Sequence, residues 1–160
     1  MYMENYTSLI SEAFESGKPV VLNNSDLVHA RVLIRELLRR ATCEVKILCH
    51  RLAREVYGNE EVCRALEDAY RDHPKLNCKV YIRNSEPDFS SFLSILLSHR
   101  VQINTGVDIE SQQGDVIIVD ARNGREEIDC KKRTALAHIN DTEWATEMEH
   151  KLSRIESRFA

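Results

Sequence analysis

Gln113-Gly114-Asp115-Val116-Ile117-Ile118-Val119-Asp120 sets four apolar residues in a row between two carboxylates. A short apolar run bounded by polar residues reads as a buried strand. The polar loop Thr105 to Gly114 leads into it, and Asn123-Gly124 stands where a hairpin turn joins it to a strand near Glu127 to Lys131. Thr134 to Ile139 supplies one more strand. The last helix is expected over Thr142 to Phe159, capped by Asp141 or Asn140, with Trp144, Met148, Leu152, Ile155 and Phe159 at core spacing.

Upstream of the run the pattern alternates. Residues 4–16 place Tyr6, Leu9, Ile10, Ala13 and Phe14 at helical spacing, and Gly17-Lys18-Pro19 stops that helix. Pro19 to Leu22 is a short apolar strand. Asn23 to Asp26 offers cap residues for a helix on Leu27, Val28, Val32, Leu33, Leu37 and Leu38 that ends near Ala41. Glu44 to Cys49 reads as a strand, residues 60–72 as a helix, and Cys78 to Ile82 as the next strand, so a parallel crossover is expected. An apolar helix from Phe89 to Leu97 and a short strand from Val101 to Asn104 follow.

At 160 residues and 18.5 kDa the chain is expected to be one domain, residues 1–160, with residues 1–17 forming an N-terminal helix. Charged residues make up 30% and apolar ones 42%, which excludes a disordered chain. No apolar run approaches the length of about 20 residues that spans a bilayer, and the opening residues are acidic and polar, so a cytoplasmic protein with no membrane association is expected. The five cysteines, Cys43, Cys49, Cys63, Cys78 and Cys130, contain no Cys-x-x-Cys pair. They are expected as buried reduced thiols, with no zinc site, no other metal and no cofactor. A net charge of −4 gives no overall pull toward nucleic acid.

The order of elements and the run ending in Asp120 resemble one repeat of the phospholipase D superfamily, from about Asn24 to the C-terminus. Thr134-Ala135-Leu136-Ala137-His138-Ile139-Asn140 and the Trp144 helix resemble the strand and long helix that follow the motif strand there. The resemblance implies an α/β fold: a single phospholipase D-like repeat with a mixed, mostly parallel sheet flanked by helices, plus an extra N-terminal helix. It also implies a His-x-Lys-x-x-x-x-Asp motif whose His attacks a phosphodiester. Here Gln113 takes the His place, Asp115 the Lys place, and Asp120 keeps the Asp. An amide cannot attack phosphorus, and a carboxylate in the clamping position repels phosphate. The one formal His-x-Lys elsewhere, His73-Pro74-Lys75, has Val80 at the Asp position and lies in a loop between helix and strand.

Ligands of an open α/β sheet collect past the carboxyl ends of parallel strands, which singles out His50, Arg83 and Asn104 beside Gln113, Asp115 and Asp120. A basic stripe, Arg31, Arg35, Arg39 and Arg40, lies on one helix. With Lys131, Lys132 and Arg133 it forms the best local basic character of the chain. Three readings follow. The first is a catalytically inactive phospholipase D-like domain acting as a binding or regulatory accessory subunit, with a protein partner and a homodimer expected. The resemblance permits a place in a bacterial defence or DNA-processing system. The second is a nucleic-acid-binding module that uses the arginine face. The third is an enzyme of another class with Cys49 or His50 at a strand end as the reactive group, Cys49 being a nucleophile if His50 activates it.

Overall fold

The computed structural model describes residues 2–87, 90–108, 114–129, 132 and 134–157, with side chains from residue 5 onward. Its elements run α1 (Tyr2–Ser16), β1 (Val20–Asn23), α2 (Leu27–Arg40), β2 (Glu44–Cys49), α3 (Arg54–Tyr57), α4 (Glu60–Asp72), β3 (Asn77–Ile82), α5 (Ser91–Ser98), β4 (Ile103–Asn104), β5 (Val116–Val119), β6 (Asn123–Asp129), β7 (Thr134–Ile139) and α6 (Thr142–Glu156). The strands form one sheet in the order β1-β7-β6-β5-β2-β3-β4. The apolar run is β5, its central strand. That position explains four consecutive apolar residues, because helices cover both faces there and every β5 side chain is buried.

Val45, Ile47, Val80, Ile82, Ile117 and Val119 face one core, packed against apolar residues of α1, α2, α4 and α5. Leu48, Tyr81, Val116 and Ile118 face the other, packed against Trp144, Ala145, Met148 and Leu152 of α6. The fold is therefore a mixed α/β sheet flanked by helices with an added N-terminal helix, as the sequence implies. The balance of strand directions differs. Parallel pairing is confined to β2·β3 and β3·β4, whereas β1·β7, β7·β6, β6·β5 and β5·β2 are antiparallel. The reason is the connection before β5, which contains no crossover helix among the described residues. The chain returns at the centre of the sheet, and two hairpins then carry it outward.

The hairpin turn also falls earlier than expected. Val119 pairs with Asn123, and the turn residues Asp120 and Ala121 take the left-handed conformation at φ 53° and 54°. Asn123 and Gly124 already belong to β6. Gly124 is there for space: a Cβ would collide with the Ile117 carbonyl and with the Trp144 ring. Trp144 lies flat on His138, with ring centroids 4.4 Å apart, and its indole N–H donates to Glu126.

Caps behave as the sequence suggests. Asp26 accepts from the Val28 N–H at 2.7 Å at the start of α2, and Asp141 accepts from the Trp144 N–H at 3.0 Å at the start of α6. Ser90 caps α5 through the Leu93 N–H; Phe89, the expected start, lies outside the described residues. So do Phe159 at the expected end of the last helix and Cys130. Cys49, Cys63 and Cys78 are buried, but Cys43 is exposed because it sits in the turn before β2 rather than within the strand.

Candidate functional site

β2 and β5 run antiparallel, so the carboxyl end of β2 meets the start of β5, and the residues around that junction enclose a cavity of about 230 Å³. Asp115 enters it from just before β5 and His50 from just after β2. Arg125 and Glu127 project from alternate positions of β6, and Leu27, Ala30 and Ile34 of α2 form the opposite wall. Gly114 allows this junction: a Cβ would run into the Glu127 carbonyl, while the Glu127 N–H donates to the Asp115 carbonyl at 2.9 Å.

The Asp115 carboxylate accepts the His50 backbone N–H at 3.1 Å. Burial pushes its pKa above the ordinary carboxylate value, opposed by that N–H, by the His50 ring and by the charges of Arg125 and Arg51. Arg125 is held from behind. Its Nε donates to Asn24 Oδ1 at 2.6 Å and its Nη2 to the Asn24 carbonyl at 3.2 Å. Asn24 is wholly buried, and its amide donates in turn to the Tyr6 hydroxyl of α1 at 2.6 Å and to the His29 carbonyl at 2.9 Å. The N-terminal helix thus fixes the orientation of a cavity arginine through one buried amide. At the rim, Arg51 is paired with Glu55 at 3.3 Å.

Of the residues singled out in the sequence, the cavity brings together His50 and Asp115. Gln113 lies outside the described residues. Asp120 is at the other end of β5, away from the cavity. Its carboxylate accepts the N–H groups of Thr42, Cys43 and Glu44 at 2.9, 2.8 and 2.9 Å, and the Thr42 hydroxyl at 3.2 Å. It is an anchor for the α2–β2 turn, because a four-residue strand separates it from Asp115. Arg83 is exposed and does not line the cavity. Asn104 donates to the Val80 carbonyl and lines a separate groove at the β3–β4 edge. Cys49 points into the core, its sulfur accepting the Leu52 N–H, and burial followed by the nearby Asp115 charge pushes its pKa far up, which disfavours the thiolate.

The arginine stripe is largely engaged with the protein's own groups. Buried Glu36 takes Arg35 at 3.2 Å, Arg39 at 3.4 Å and Arg40 at 2.6 Å. Arg35 also reaches Glu61 at 2.8 Å, Arg31 donates to the Glu55 carbonyl, and Arg40 lies over the Phe14 ring. Lys132 is exposed on the β6–β7 connection; Lys131 and Arg133 lie outside the described residues. Among the described residues no group of three His, Cys, Asp or Glu side chains is placed to hold a metal, and no helix is long and apolar enough to cross a membrane.

Sequence reasoning missed Arg125 and Glu127, because it left Arg125 between the hairpin turn at Asn123-Gly124 and a strand that it began near Glu127. The available signal was two charged residues at i and i+2 immediately after Asn123-Gly124, which share one face of a strand.

Solved structures share this architecture. Nuc from Salmonella typhimurium, a phospholipase D family member, superposes with a TM-score of 0.63 at 15% identity, over 88% of this chain and 95% of that one. The chain has a phospholipase D-like fold. NucT from Helicobacter pylori matches with a TM-score of 0.57 at 11% identity, over 88% of this chain and 96% of that one. TrmBL2, an archaeal chromatin protein described as showing a novel mode of DNA binding, matches 94% of this chain and 57% of that one, with a TM-score of 0.61 at 12% identity. No protein-family model matches the sequence, and no curated protein does. At these identities the likeness is one of fold.

Proposed function

We propose that this chain is a phospholipase D-like domain that binds without hydrolysing and serves as a regulatory or accessory subunit to a protein partner, pairing with a second copy of itself. The observation that carries this reading is Asp115. The position given to lysine in the motif holds a nearly buried carboxylate, fixed by the His50 N–H inside the cavity. A phosphodiester brought there meets negative charge where its clamp belongs, and the neighbouring motif position, Gln113, has no nucleophilic atom. The cavity suits a ligand that brings positive charge to Asp115 instead.

The test is turnover of bis(4-nitrophenyl) phosphate and of plasmid DNA by rigorously purified protein, alongside an Asp115→Asn variant. No turnover above buffer is expected from either. Activity that co-purifies with the native chain and vanishes in Asp115→Asn overturns the proposal. Sedimentation of the pure chain tests the pairing, with a single monomer boundary counting against it. A second reading, nucleic-acid binding, draws on the likeness to TrmBL2. It requires affinity for a labelled duplex that falls steeply between about 50 and 200 mM salt. The engagement of Arg35, Arg39 and Arg40 by Glu36 argues against that outcome.

A further inference from the structure

The cavity holds one guanidinium and one carboxylate that are both tied to neutral partners. Arg125 bonds to the side-chain and backbone oxygens of Asn24, and Asp115 to the His50 N–H. Among the described residues neither has an ion-pair partner, and they are not paired with each other. Both are partly buried, and opposite charges held apart at one cavity can each take a charged group of a ligand. By contrast Arg51, at the same rim, is already neutralised by Glu55.

A purely anionic ligand satisfies Arg125 but is repelled by Asp115 and by Glu127 beside it on the same wall. A purely cationic ligand satisfies Asp115 and leaves Arg125 facing like charge. A molecule carrying both signs on adjacent atoms satisfies both. The remaining wall is largely apolar, built of Leu27, Ala30, Ile34, Ala53, Val56 and Tyr57 together with Ser25. The volume, about 230 Å³, lies below the roughly 300–1,000 Å³ of drug-sized ligand sites and so suits a small molecule.

We infer that this cavity binds a small zwitterion, an aliphatic α-amino acid, with its carboxylate on Arg125, its ammonium on Asp115 and its side chain against the α2 wall. The inference rests on the proposed function, since it takes the cavity as a site of binding, and it names the ligand class. Asn24 is then a positioning residue: by holding two of the guanidinium nitrogens it aims the third at the ligand, and its bond to Tyr6 makes the docking of α1 part of the site.

Calorimetric titration of the full chain tests this with three probes of nearly equal size: L-valine, L-valinamide and L-2-hydroxy-3-methylbutanoate. Valinamide lacks the carboxylate and the hydroxy acid lacks the ammonium. Valine is expected to bind, with each analogue weaker by about tenfold or more, the loss of one charge-assisted contact. Arg125→Gln should erase the preference over valinamide, and Asp115→Asn the preference over the hydroxy acid. Should Arg125→Gln fail to fold, Arg125→Lys keeps the charge and should keep the preference. An analogue that binds as tightly as valine overturns the inference, as does no binding of valine. In the latter case, ethanolamine binding that Asp115→Asn abolishes leaves the proposed function standing, whereas hydrolysis of bis(4-nitrophenyl) phosphate removes both.

Discussion

Replacing Asp120 with alanine removes the acceptor for three consecutive N–H groups, those of Thr42, Cys43 and Glu44, together with the Thr42 hydroxyl. Each hydrogen bond to a charged group contributes about 1.5–3 kcal/mol net when buried. Thr42 and Cys43 are exposed, so water replaces much of their share; Glu44, half-buried at the start of β2, loses most. About 2 kcal/mol for Glu44 and about 1 kcal/mol for the other two together is a fair sum. Alanine at φ 53° adds about 1 kcal/mol, because a Cβ is disfavoured in the left-handed region where Asp is tolerated. The total is about 4 kcal/mol, a large part of the 5–15 kcal/mol that holds a typical domain. Asp120→Asn keeps the backbone tolerance and one acceptor oxygen and should cost roughly 1–2 kcal/mol. Urea unfolding followed by the single tryptophan, Trp144, measures both. Equal losses in the two variants, or a loss under about 1 kcal/mol for alanine, would show that the clamp is not what holds the turn. L-Valine affinity at the cavity should be unchanged in Asp120→Asn, since four residues of β5 lie between.

Asp115 gives a pH signature of defined sign. Its folded pKa is raised, so the folded state holds the proton more tightly than the unfolded one, and stability falls as pH rises from the ordinary carboxylate value through the folded pKa. Asp115→Asn should therefore match the native chain in melting temperature at acid pH and exceed it by a constant margin at neutral pH; a margin that does not grow with pH contradicts the assignment. Alkylation with iodoacetamide followed by peptide mass spectrometry should label Cys43 well before Cys49, Cys63 and Cys78, which are buried; early loss of the Cys49 peptide would contradict its placement in the core. Gly124→Ala forces a Cβ into the Ile117 carbonyl and the Trp144 ring, and a cost of about 3 kcal/mol or more with altered tryptophan emission is expected. Near-native stability in that variant would mean that β6 and α6 sit further apart.

The sequence by itself determined most of the helices and strands, though not the one-turn helix α3, because burial on one or both faces writes a period into the chain: Val62, Leu66, Ala69 and Tyr70 on α4, the unbroken apolar run on β5. It also narrowed the caps to Asn23 to Asp26 before α2 and to Asn140 or Asp141 before α6, of which the structure uses Asp26 and Asp141. Only the tertiary structure decided that β5 runs antiparallel to β2, since an apolar run reads the same in either direction. Only it decided that Asp120 anchors a turn 76 to 78 residues earlier in the chain rather than a pocket four residues away. The same holds for the arginines of α2: their spacing is visible in sequence, but their neutralisation depends on Glu61 and on the depth at which Glu36 is buried. Arg125 and Asn24 lie 101 residues apart and meet only because β6 and the end of β1 share one end of the sheet. Periodicity is a local signal that each segment carries alone, whereas a cavity is made of charges whose partners are chosen by how distant segments pack.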